Sequence, residues 1–224
     1  VQDYAVIVEK NCYYVDRTQF IKPLMTSGTA VQLIARPRRF GKTLFMDTLK
    51  SFLKINRATP GDVSLQRVLF AKTAVFKDSD FCARYMGQFP VLFITLKGVE
   101  GCSFELAYRV LAKKIVALIG QFEYLLESPK LNEAEKLYLR RFADPVYIED
   151  VQHQADLQSF LQVMVTCLSK HFERRVVLLI DEYDVPLAKA AENGYYRQMV
   201  DVIRALLGQV LKPDNPADSL GDLP

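Results

Sequence analysis

Gly41, Lys42 and Thr43 close the stretch ARPRRFGKT, residues 35–43. A glycine-lysine-threonine triplet at the start of a helix suits phosphate, because backbone N–H groups and the helix dipole favour an anion there. The general pattern is G-x-x-x-x-G-K-[ST], in which the lysine reaches the β- and γ-phosphates and the hydroxyl ligates Mg²⁺. Arg36 stands where that pattern has its first glycine. Pro37 fixes its own φ and pushes Arg36 into an extended conformation, so the chain enters the loop stiffly. Arg36, Arg38 and Arg39 bring guanidinium groups toward a proposed polyphosphate, whose oxygens such groups can clamp. Arg39 is the catalytic candidate among them. The alternative for each arginine is solvent, or a structural carboxylate such as Asp16 or Asp184. The phosphate-binding candidates are therefore Arg36, Pro37, Arg38, Arg39, Phe40, Gly41, Lys42, Thr43 and Leu44.

A second element complements the first. In RRVVLLIDEYD the apolar residues Val176 to Ile180 end abruptly in Asp181 and Glu182. The carboxyl end of a buried strand faces the ligand crevice in open α/β sheets. Asp181 is placed to hold Mg²⁺, with Thr43 as the other metal candidate, and Glu182 to orient or deprotonate an attacking water. Lys42, Glu182 and Arg39 form the expected catalytic set. The plainer reading is a strand running into a charged surface turn.

The surrounding pattern says which elements must carry these residues. Ala5 to Val8 and Tyr13 to Val15 are β-rich, and a short helix is expected over Thr18 to Met25. The apolar run AVQLIAR, bounded by Gly28 and Pro37, predicts a buried strand that leads into Gly41-Lys42-Thr43. From Lys42 onward Phe45, Leu49, Phe52 and Leu53 form one helical stripe. A region of few signals extends to about Gln88. Val91 to Leu96 predict a second strand. Ser103 then caps a helix with Leu111, Ile115, Leu118 and Phe122 on one side. Asn132 with Glu135 three residues later reads as a capping box. Asp156 opens a helix striped by Leu157, Phe160, Leu161, Met164, Val165 and Leu168. After Val176 to Ile180, a last helix carries Met199, Val202, Ile203, Leu206 and Val210. Strands alternating with helices imply a parallel sheet covered on both faces.

Composition narrows the function class. The 224 residues are 50% hydrophobic and 25% charged, with a net charge of +3, an ordinary balance for a soluble globular chain and no nucleic-acid footprint by itself. Cys12, Cys82, Cys102 and Cys167 contain no C-x-x-C pair, which argues against a zinc ribbon and a disulfide framework. No apolar run approaches a membrane span and no leader pattern opens the sequence, so the expected location is the cytoplasm. Neither S-x-x-K nor G-x-S-x-G occurs, leaving no sign of acyl transfer. The lone His153 and His171 read as structural rather than as ligands, and Tyr195 reads as a packing residue.

The stretches YYVDRTQFI, RPRRFGKTLF, FPVLFITLKG and LLIDEYDVPLAKA with a later GYY resemble the AAA-ATPase-like family of P-loop proteins. The matching blocks run in order from Tyr13 to Leu211. In that family the Arg-Pro entry to the loop is the normal form. The resemblance implies an α/β P-loop NTPase fold, a three-layer sandwich with a mainly parallel sheet. It supports Gly41, Lys42 and Thr43 as the phosphate loop and Asp181 and Glu182 as metal and catalytic carboxylates, with ATP and Mg²⁺ as cofactors. Asp16, Tyr183 and Asp184 also match motif positions; for Asp16 the expectation is an ion pair with a loop arginine.

Members of the family commonly carry a C-terminal nuclease-like domain and further sheet strands, including one with a polar sensor. The sequence is therefore expected to be an N-terminal part. It divides into an extension over 1–30, an NTPase core over 31–211, incomplete on its C-terminal side, and a tail over 212–224. The expected function is Mg²⁺-dependent ATP hydrolysis. The competing expectations are a nucleotide-sensing switch with little turnover that regulates an attached nucleic-acid-acting domain and, more weakly, a small-molecule kinase.

Overall fold

The computed structural model describes residues 3–35 and 40–211. The chain divides into two compact units, at Val91 and Leu92.

The first unit is helical. Asp3 caps α1 (Tyr4–Glu9), its side chain accepting the Val6 amide. Val6, Ile7 and Val8 favour strands in isolation, which is why this segment reads as β-rich. Burial of Tyr4 and Ile7, three apart, on one face overrides that weak preference. The Tyr4 amide donates to the buried Asp47 carboxylate at 2.8 Å. A 3₁₀ turn over Thr18–Phe20 leads into α2 (Ile21–Thr26), close to the helix expected there. The predicted strand over AVQLIAR is not formed: residues 30–35 have no strand geometry, with Val31 48% and Leu33 71% exposed. An apolar run makes a strand only where a neighbouring strand takes up its amides and carbonyls.

Gly41 precedes α3 (Lys42–Leu53), whose Phe45, Leu49, Phe52 and Leu53 are buried as the spacing predicts. The end of α3 is tied down by the Gly87 amide on the Phe52 carbonyl and the Phe89 amide on the Leu53 carbonyl, at 2.8 and 2.9 Å. The region of few signals holds α4 (Ser64–Phe70) and α5 (Ser79–Tyr85). Asp78 caps the latter, accepting the Phe81 amide.

The second unit is built on two parallel strands, β1 (Val91–Thr95) and β2 (Val177–Asp181). The helices of this unit are α6 (Phe104–Ile119), α7 (Glu133–Ala143), α8 (Pro145–Ile148), α9 (Gln154–Phe172), α10 (Val185–Glu192) and α11 (Tyr196–Gly208). Ser103 caps α6 and the Asn132–Glu135 capping box opens α7. Phe122 falls beyond α6, in a 3₁₀ stretch where its own backbone is non-helical. Leu92, Ile94 and Leu96 join Leu111 and Ile115 of α6, Phe160, Leu161 and Met164 of α9, and Met199 and Val202 of α11 in one core. Each such side chain contributes about 1.5–3 kcal/mol by leaving water. Mixed α/β architecture is thus established, mainly helical, with a sheet of two strands rather than three among the described residues. No described helix is long and apolar enough to cross a membrane.

Candidate functional site

Gly41 adopts φ 73° and ψ 25° immediately before α3. That left-handed conformation is open to glycine and strained for most other residues. It turns the chain so that Lys42 and Thr43 occupy the first helical turn, where amides lack intrahelical acceptors. The Gly41 carbonyl accepts the Phe45 amide at 2.9 Å, so the helix is closed from its first residue. No acidic residue lies in that turn, where the helix dipole favours negative charge. Lys42, Thr43 and Leu44 are half-buried and Phe40 is exposed. Arg36, Pro37, Arg38 and Arg39 lie outside the described residues, and with them the question of which arginine meets phosphate.

The carboxylate pair belongs to the second unit. Asp181 is the last residue of β2 and is 1% exposed. The Leu96 amide donates to the Asp181 carbonyl at 2.9 Å. In a parallel ladder a carbonyl receives the amide one residue beyond its partner, so Thr95 is the residue opposite Asp181, with both side chains on one sheet face. The Thr95 hydroxyl accepts the Lys97 amide at 3.3 Å, and its own proton remains available for donation. Leu92, Ile94, Leu178 and Ile180, on the other face, pack into the helical core. Thr95 and Asp181 thus stand on the face opposite Ile94 and Ile180, together with the buried Val91 and Leu179.

Glu182 follows with φ 52°. A glutamate in left-handed backbone costs roughly 1–2 kcal/mol, and such outliers cluster at functional sites. The turn it makes is closed by the Val185 amide on the Glu182 carbonyl at 3.2 Å, and α10 follows with Pro186 in its first turn. Asp184 is the residue before α10 and makes no side-chain cap. Tyr183 is exposed.

The Asp16 carboxylate accepts the Thr18 amide at 2.8 Å and the Ala74 amide at 2.6 Å; the loop arginines expected to pair with it lie outside the described residues. The residue overlooked in the sequence is its neighbour. Arg17 donates from Nη1 to the Phe40 carbonyl at 2.7 Å, across 23 positions. Its only sequence signal is membership of the YYVDRT motif.

The two histidines are structural, as expected. His153 stacks on Tyr147 at 3.7 Å, and His171 Nδ1 pairs with the Ser128 hydroxyl at 2.8 Å. Tyr195 is buried and donates to the Gly101 carbonyl at 2.8 Å. A cleft of about 570 Å³ opens near α6 and α8, lined by Glu105, Arg109, Pro145, Val146, Glu149, Asp150 and Val151. Three carboxylates against one guanidinium repel a polyphosphate, so this cleft is not the phosphate site.

Metal binding needs hard oxygen donors if the ion is Mg²⁺. Thr43 and Asp181 supply a hydroxyl and a carboxylate. Among the described residues no group of three or more His, Cys, Asp and Glu could hold a metal ion. Hydroxyl and carboxylate oxygens are of the hard type that Mg²⁺ takes, together with substrate phosphates and water.

A family model described as "Predicted AAA-ATPase" matches residues 1–219. A curated relative, the "Uncharacterized protein in vnfD 5'region" of Azotobacter chroococcum mcd 1, is 50% identical over 50 residues. That stretch is 22% of this chain and 10% of the relative's length. No solved structure matches.

Proposed function

Since the chain belongs to the AAA-ATPase-like family, we propose that it binds ATP and hydrolyses it with Mg²⁺, on a P-loop NTPase sandwich. The observation that carries this reading is the left-handed Gly41 at the start of α3, with Lys42 and Thr43 behind it. The amides of this turn and the Lys42 ammonium hold the β- and γ-phosphates. On this reading Thr43 and Asp181 would each offer an oxygen to Mg²⁺, which when bound would neutralise charge on the phosphate oxygens. Glu182 orients the attacking water and accepts its proton.

Hydrolysis of this kind depends on positioning and charge neutralisation, without a covalent enzyme intermediate. The rigid turn at Gly41 and the fixed backbone at Glu182 supply that positioning. The test is calorimetric binding of ATP and Mg²⁺ to the wild-type chain, to Lys42→Ala and to Glu182→Gln, with phosphate release measured in parallel. Lys42→Ala is expected to lose binding. Glu182→Gln is expected to bind and not turn over. Unchanged affinity in Lys42→Ala sinks the phosphate-loop reading.

A further inference from the structure

We infer that Arg17 is a positioning residue of the phosphate loop. It fixes the turn that presents the Gly41, Lys42 and Thr43 amides and adds a permanent positive charge beside it. The inference rests on the phosphate-loop reading above and assigns it a residue outside the loop.

The first support is the contact itself. The Arg17 guanidinium donates to the Phe40 carbonyl at 2.7 Å, a short, charge-assisted bond. Phe40 is the residue just before the left-handed Gly41, so holding its carbonyl restrains the peptide plane that enters the turn. The guanidinium also lies against the bare side of that glycine: a Cβ built on Gly41 would stand 3.6 Å from Arg17 Nη1. One planar group thus braces the carbonyl before the turn and covers the turn itself.

The second support is the anchoring of Arg17. The Asp16 carboxylate takes the Thr18 and Ala74 amides. The buried Thr18 accepts the Val75 amide on its hydroxyl at 3.1 Å. Tyr14 meets Tyr4 edge-on, with ring centroids 5.2 Å apart. The backbone on both sides of Arg17 is therefore tied to the body of the first unit, which lowers the entropy lost in holding a long side chain in one place. A brace on a fixed base transmits position, as a brace on a free loop cannot.

The third support is electrostatic. The first turn of α3 contains no carboxylate, and the oxygens of Asp16 are engaged by backbone amides. A guanidinium at this point strengthens the positive end of the helix toward a triphosphate.

The experiment measures ATP affinity by calorimetry for the full chain, with Arg17→Ala, Arg17→Lys, Lys42→Ala and, as a control for overall charge, Lys22→Ala. Lys22 pairs with Asp78 at the surface. Arg17→Ala is expected to weaken ATP at least about tenfold, the scale of one charge-assisted hydrogen bond, with the melting temperature of the ligand-free chain little changed. Arg17→Lys keeps the charge and one donor and recovers part of the loss. Lys22→Ala binds as wild type. If Arg17→Ala binds ATP within a factor of about two of wild type while Lys42→Ala does not bind, the inference is overturned and the phosphate-loop reading stands. If Lys42→Ala also binds normally, the reading itself falls and takes the inference with it. Should Arg17→Ala fail to fold, Arg17→Met keeps the length and apolar packing of the side chain. Unchanged affinity in its folded fraction then overturns the inference.

Discussion

Asp16 holds the Ala74 amide at 2.6 Å, joining two segments 58 residues apart. The same carboxylate holds the Thr18 amide. Its substitution therefore attacks the first unit before it attacks any ligand. Asp16→Ala leaves two amides without their acceptor and is expected to cost about 2–4 kcal/mol, with each hydrogen bond to a charged group near 1.5–3 kcal/mol. For a chain of this size that lowers the melting temperature by roughly 5–15 °C. Calorimetric melting decides the point; an unchanged midpoint sinks this role for Asp16.

Glu182 supplies a prediction in which stability and activity move apart. Glycine at this position removes the left-handed strain, offset by the larger entropy of glycine in the unfolded chain. Glu182→Gly is expected to be as stable as wild type or up to about 1 kcal/mol more stable. Glu182→Val places a β-branched residue at φ 52° and is expected to lose about 1–2 kcal/mol. Both lose ATP turnover. Chemical denaturation beside a phosphate-release assay separates the two effects. Equal stability for the glycine and valine variants contradicts the strain.

Gly101 shows close packing in place of a special dihedral. A Cβ there would approach the Ala107 amide nitrogen and Leu106 Cβ at 2.8 Å. Backbone cannot step aside cheaply, so Gly101→Ala is expected to cost about 1–3 kcal/mol through overpacking. Tyr195→Phe removes only the hydroxyl on the Gly101 carbonyl and is expected to cost about 1 kcal/mol. Denaturant midpoints for the two variants test the order.

His171 contributes a pH dependence. Burial, with the Lys130 charge nearby, lowers its pKa from the ordinary 6.5. In the window below 6.5 the unfolded chain binds the extra proton and the folded chain resists it, so stability rises with pH there and falls on acidification. Melting temperatures from pH 7.5 downward, compared for wild type and His171→Gln, show the contribution as a shallower acid slope in the variant. Identical slopes contradict it.

The thiols divide by exposure. Cys12 and Cys102 are exposed, whereas Cys82 and Cys167 are buried. Burial raises the Cys82 thiol and pushes Cys167 up to about 12, keeping the reactive thiolate scarce. A native-state thiol titration is expected to modify Cys12 and Cys102 rapidly, and Cys82 and Cys167 only on unfolding. Rapid reaction at Cys167 contradicts the packing of α9.

What could be read from the sequence was whatever short-range chemistry decides. Asn132 and Glu135 satisfy each other within one turn, so the pattern contains the whole mechanism. Phe45, Leu49 and Phe52 sit on a helix whose period is visible in their spacing. Ala5 to Val8 misled because strand preference is local and the burial of Tyr4 and Ile7 is not. Residues 30–35 misled for the opposite reason: an apolar run says nothing about whether a partner strand is beside it. The helix that starts at Lys42 and the strand that ends at Asp181 were legible from residue type and order. The left-handed backbone of Glu182 and the reach of Arg17 to Phe40 were not. Glutamate carries no mark of its dihedral, and a contact across 23 positions leaves no periodic trace.

Thr95 and Asp181 share one face of the sheet while Ile94 and Ile180 share the other. Sliding β2 past β1 by a single residue would trade these roles at once. Ile180 would take the place beside Thr95, and a charge would be driven in among the core residues of α6 and α9. The pairing between the strands thus acts as a gate on folding: a chain that has packed Leu178 and Ile180 against its helices has, by the same step, set Asp181 beside Thr95.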